Sequence, residues 1–90
     1  MNSQQRQIKK ALNSSANIFA DKIVYHKNGS VSVKRSYFYR HGNTAELWAG
    51  SVSLEMERLL PHLDFDVDSR DDYNNWPKDS YFVAVIEPRG

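Results

Sequence analysis

The sequence predicts a single α+β domain spanning residues 1–90, with elements in the order α-β-β-α-β-β. The arrangement expected is a mainly antiparallel four-stranded sheet with two helices packed on one face. Three stretches predict it. Asn28-Gly29 stands between two β-rich runs, Lys22–Lys27 and Val31 onward, which is the strongest short-range hairpin signal. Ala45, Trp48, Ala49, Val52, Met56, Leu59 and Leu60 recur at helical spacing. Ser80–Glu87 is apolar on both faces, as a strand inside a sheet should be.

Residues 1–20 read as an N-terminal helix and linker. Ile8, Ala11, Leu12 and Ser15 make a short apolar stripe, Asn2 or Ser3 can cap it, and Phe19 is an anchor beyond its end. Arg6, Lys9 and Lys10 fall off the stripe and stay in water. In the hairpin, a two-residue turn pairs Val24 with Val33 and His26 with Val31. A three-residue loop instead aligns Ile23 with Arg35 and Tyr25 with Val33, and the residues do not choose between them.

The rest of the chain is organised around Val31–Thr44. Alternation puts Val31, Val33, Arg35, Tyr37 and Tyr39 on one face and Ser32, Lys34, Ser36, Phe38 and Arg40 on the other. The first face enters a core if the Arg35 stem snorkels. After Gly42, Asn43 with Glu46 forms a capping-box-like helix start, with Thr44 a second candidate cap. Gly50 costs that helix about 1 kcal/mol relative to Ala, a cost that close packing would explain. Pro61 ends it. Leu63, Phe65 and Val67 then alternate with Asp64, Asp66 and Asp68, a half-buried strand with an acidic outer face. Residues 69–79 are rich in turn formers and read as a long loop, with Trp76-Pro77 pinning it to the body.

Formal net charge is +1, yet residues 1–40 carry +7 and residues 41–90 carry −6. Either the halves fold together and intermix their charges, or the molecule has a basic and an acidic face. With no cysteine there is no disulfide or thiolate site. No apolar run reaches the roughly 18 residues of a membrane span, and the N-terminus lacks a signal-peptide core. The expectation is a soluble, cytoplasmic protein that needs no membrane.

The stretches SYFYRHGNTAE (Ser36–Glu46) and NWPKDSYF (Asn75–Phe82) together resemble a family of small, uncharacterised phage- and prophage-encoded proteins. The resemblance implies a phage-type accessory protein, a group that includes inhibitors of host enzymes and defence systems. It implies no catalytic residue.

No cofactor or metal is expected. An EF-hand loop begun at Asp64 wants Gly at its sixth position and Glu at its twelfth, where the chain has Ser69 and Asn75. His26, His41 and His62 lack paired metal spacing, and no nucleophile elbow, Walker loop or dinucleotide fingerprint occurs. Lys34, Arg35, Tyr37, Tyr39, Arg40 and His41 are residue types of metal-independent ribonucleases, but alternation sends them to different faces, making this a remote alternative.

A non-enzymatic binding protein is the leading expectation. Lys34, Phe38, Arg40, Asp64, Asp66, Asp68, Tyr73 and Trp76 are its candidate residues for docking on a host or phage protein, because Tyr, Trp and Arg most often anchor interfaces. The opposed charges also suit a homodimer. The alternative is a nucleic-acid-binding module in which Arg6, Lys9 and Lys10 join Lys34, Phe38 and Arg40 in one basic surface with a stacking ring.

Overall fold

The computed structural model describes residues 1–39 and 41–89. Its elements are α1 (Ser3–Ser14), β1 (Lys22–Tyr25), β2 (Val31–Ser36), α2 (Ala45–Leu59), β3 (Phe65–Asp72) and β4 (Tyr81–Pro88). The four strands form one antiparallel sheet in the order β1-β2-β4-β3, which is the expected α+β fold. Among the described residues, no helix is long and apolar enough to cross a membrane.

Both helices lie on one face. Ile8 and Leu12 of α1 and Trp48, Val52 and Met56 of α2 close on Val31, Val33, Ala84 and Ile86 of the central strands. Complete burial of a Val, Ile or Met side chain contributes roughly 1.5–3 kcal/mol. Trp48 anchors α2 as its spacing predicts, and its indole N–H donates to the Val33 carbonyl at 2.9 Å. Phe19 does not anchor the linker. Its ring is in solvent, and Ile18 enters the core instead.

Local chemistry sets the element ends. Asn2 caps α1 in a reciprocal box with Gln5, and Thr44, not Asn43, caps α2 by accepting from the Leu47 N–H. Gly50 is exposed and a Cβ there would meet nothing, so close packing does not explain it.

Neither expected hairpin register forms. The loop is three residues long, closed by His26 N–H to Ser30 O at 2.9 Å and Gly29 N–H to His26 O at 3.1 Å. It therefore pairs Ile23 with Val33 and Tyr25 with Val31. A type I′ turn needs positive φ at both Asn28 and Gly29, and only Gly29 has it, at +96°. The Asn28 side chain instead accepts from the Ser30 N–H and Oγ.

Two further boundaries differ from expectation. β2 stops at Ser36, whose Oγ accepts from the Phe38 N–H, and residues Tyr37–Tyr39 form a 3-10 turn. Ser69–Asp72, expected in the 69–79 loop, extend β3, because β4 offers eight residues of ladder for them to join. Only residues 73–80 connect the strands, with a 3-10 turn at Pro77–Asp79.

Among the described residues, the sheet's second face carries no helix. Along it lie Lys22, Val24, Ser32, Lys34, Val83, Val85, Asp66, Asp68 and Arg70, by register. Val83 is nevertheless fully buried, flanked by Lys34 and Arg70 on the neighbouring strands. Long charged side chains cover apolar surface in this way.

Candidate functional site

Three aromatic side chains stand out of the molecule at one end of the sheet. Phe38 is 65% exposed, Tyr73 67% and Trp76 66%. They belong to the 3-10 turn after β2 and to the β3–β4 loop, which touch each other. Trp76 therefore does not pin the loop to the body, as its sequence context suggests; it faces water.

What fixes these turns lies beneath them. The Tyr37 ring sits 4.6 Å from Phe82 and 6.0 Å from Tyr73, centroid to centroid. Its hydroxyl donates to Asp71 Oδ1 at 2.6 Å. That bond, burial and the nearby Asp71 charge push the Tyr37 phenol up to about 12. The loop closes on Ser80, a fully buried residue. Its Oγ accepts from the Asn74 N–H at 2.7 Å and offers its own proton to the carbonyls of Asn74 (3.0 Å) and Trp76 (3.1 Å). Asn74 Nδ2 donates to the Asp79 carbonyl at 2.6 Å. The aromatic end is thus held by an internal network, not left as loose loop.

The acidic candidates lie elsewhere. Asp66 and Asp68 line the open sheet face on β3, with Asp64 just before the strand. Six residues of strand, about 20 Å, separate Asp66 from Asp72 at the aromatic end. Arg89 bonds Asp66 Oδ1 at 2.6 Å and approaches Asp64 at 3.8 Å. Asp68 meets Glu87 instead, and this carboxylate neighbour, with burial and Asp66, raises the Glu87 pKa.

Of the cationic candidates, Lys34 and Arg35 are engaged. Lys34 Nζ bonds Asp72 Oδ2 at 3.1 Å and lies over the Tyr81 ring. Arg35 snorkels as expected: its guanidinium donates to the Phe19 carbonyl at 2.6 Å and stands 3.7 Å from Asp21. Arg40 lies outside the described residues. Arg6, Lys9 and Lys10 line an open concavity along α1, in the helical layer, whereas Lys34 lies on the opposite sheet face. The basic set expected to form one surface is therefore divided. Lys34 and Arg35, invoked together for ribonuclease chemistry, are on opposite faces and serve different partners. Among the described residues, no group of three or more His, Asp or Glu stands together to hold a metal ion.

Two residues that shape these surfaces carried at most a weak signal in the sequence. Ser80 reads as the start of a strand, and its role depends on three loop backbone groups meeting it. Gln5 reads as a polar position of α1, yet it is buried and bonds the β1–β2 loop. The N-cap pattern alone hinted at Gln5, as the third residue after Asn2.

Compared with known proteins, the chain matches no family model, no curated protein sequence and no solved structure.

Proposed function

We propose that this is a small, non-enzymatic binding protein of the phage-accessory type that docks on a partner protein through its aromatic end. One observation carries the reading. Phe38, Tyr73 and Trp76 each leave about two-thirds of their surface in water, on turns already fixed by Tyr37–Asp71 and by Ser80. Rigid aromatic side chains supply large contact area and lose little conformational freedom on binding. Exposing them has no benefit to the isolated fold. The phage context rests on the resemblance of Ser36–Glu46 and Asn75–Phe82.

The test is affinity capture from bacterial extract with the tagged protein, followed by titration of the purified partner. The comparison variant carries Phe38→Ser, Tyr73→Ser and Trp76→Ser, with Leu54→Ser as an exposed control. Affinity should fall by roughly a hundredfold in the triple variant and stay within about twofold in the control. Equal binding by the triple variant overturns the proposal. Steeply salt-dependent oligonucleotide binding, lost on replacing Arg6, Lys9 and Lys10, supports the nucleic-acid alternative in its place.

A further inference from the structure

We infer that the outer edge of β3 accepts an added strand from another protein: an extended, basic segment running antiparallel to it. This surface is separate from the aromatic end and stands whether or not that end is the primary docking site.

β3 ends the sheet order, so among the described residues one side of its backbone has no ladder partner. Which residues present that side follows from the hydrogen bonds. The Arg89 N–H donates to the Asp64 carbonyl, and the register continues through Asp66↔Glu87, Asp68↔Val85 and Arg70↔Val83. The even-numbered residues therefore point their backbone groups at β4. Phe65, Val67, Ser69 and Asp71 point theirs outward. The same alternation sends the side chains of Phe65 and Val67 to the helical face and those of Asp66, Asp68 and Arg70 to the open face.

These two facts dictate what an added strand must look like. Residues directly opposite Phe65, Val67 and Ser69 place their side chains beside α2, extending the apolar layer in which Phe65 and Val67 are only half-buried. The residues between them meet Asp66, Asp68 and Arg70 on the open face. Cations suit the first two positions and an acid the third. Read in its own direction, the incoming strand alternates apolar residues with one acid followed by two bases.

The molecule already holds one example of this chemistry. The Arg89 guanidinium, anchored on Asp66, comes within 3.5 Å of the Phe65 carbonyl, one of the outward groups. The carboxylates of Asp68 and Glu87 lie against each other farther along, where a cation relieves their repulsion. A second copy of this chain is the poorer occupant. β3 brings Asp66, Asp68, Asp71 and Asp72 with Arg70 as its one cation, so edge-to-edge pairing sets Arg70 against one acid and leaves the other open-face acids facing each other.

The probe is a fluorescein-labelled peptide, Ser-Val-Glu-Val-Lys-Val-Lys-Val-Ser, followed by anisotropy and by amide hydrogen exchange of the full chain. Binding should slow exchange at Val67 and Ser69, whose N–H groups point outward. Replacing both peptide lysines by glutamate should weaken it by roughly tenfold or more. Ser69→Pro removes an outward N–H and leaves the β4 ladder intact, so it should abolish binding without unfolding the sheet. The variant lacking Phe38, Tyr73 and Trp76 should bind the peptide unchanged. No binding at millimolar peptide, equal binding of the charge-reversed peptide, or unchanged exchange at Val67 and Ser69 overturns the inference. So does loss of the peptide in the aromatic variant, or an edge already closed by a second copy.

Discussion

The Gln5 side-chain amide donates to the His26 carbonyl at 2.7 Å, joining the first helix to the β1–β2 loop inside the protein. The same Nε2 reaches the Ser30 carbonyl at 3.2 Å, and Oε1 accepts from the Asn2 N–H at 3.1 Å. One buried side chain thus serves a helix cap and a hairpin at once. Gln5→Ala removes all three bonds and should cost about 2–3 kcal/mol, measured by urea unfolding. A loss below about 0.5 kcal/mol would show that the hairpin docks without it.

Tyr37 should titrate late. Its folded pKa, about 12, lies above the ordinary 10.0 because the phenol donates to Asp71. A group raised in the folded state contributes stability that is fully present below its unfolded pKa and lost as pH rises through the folded one. Ultraviolet titration should therefore show a late-ionising tyrosine component, to which Tyr25, raised by burial, also contributes, and Asp71→Asn should remove the Tyr37 share of it. At neutral pH, Tyr37→Phe should cost about 1 kcal/mol.

The two glycines with opposite environments should respond oppositely. Gly50→Ala, in an exposed helix interior with open space at Cβ, should stabilise by about 0.5–1 kcal/mol. Gly29→Ala forces a side chain to φ +96° with its Cβ 3.1 Å from Asn2 Nδ2. It should destabilise by more than about 1 kcal/mol. Paired denaturation curves that shift the same way for both would refute this.

The tryptophans should be separable by fluorescence. Trp48 is buried and hydrogen-bonded, whereas Trp76 stands in water. Trp48→Phe should leave an emission typical of a solvated indole and readily quenched by acrylamide. Trp76→Phe should leave one that is blue-shifted and protected. Ser80→Ala, which frees the backbone around Trp76, should cost about 1–2 kcal/mol and lower the anisotropy of Trp76 emission.

Acid should affect two glutamates with opposite sign. Glu55 is lowered from 4.5, chiefly by the Asn17 amide, so its contribution is present above 4.5 and lost as pH falls through the folded value. Asn17→Ala should therefore destabilise at neutral pH and converge on the parent in acid. Glu87 is raised from 4.5 by Asp68, so it costs stability above its folded pKa and nothing once protonated in both states. Asp68→Asn should stabilise at neutral pH, with the gain fading in acid. Urea midpoints that stay parallel across pH would contradict both assignments.

What could be read from the residues follows from how local the signal is. The spacing of Trp48, Val52 and Met56 and the two-sided apolar run of β4 are properties of adjacent turns and strands, so α2 and the central strand were legible. The hairpin register was not, because it depends on the backbone angle of Asn28, which the Asn-Gly pair leaves open. Ser69–Asp72 look like a loop and become strand only because β4 pairs with them and Lys34 and Tyr37 hold their carboxylates. For the site, Phe38, Tyr73 and Trp76 were legible as aromatics with no required place in a small core. The engagement of Lys34 with Asp72 was not, since it needs the strand order that sets β4 between β2 and β3.

That order has a consequence for how the chain is made. β4 is the last of the four strands, yet both β2 and β3 pair with it. During synthesis the β1–β2 hairpin and both helices emerge first, with the sheet's middle still missing and two long strand edges waiting. The apolar layer therefore assembles late: β3–β4 is a local hairpin, but β2 meets β4 only across about half the sequence, and such distant pairings form slowly.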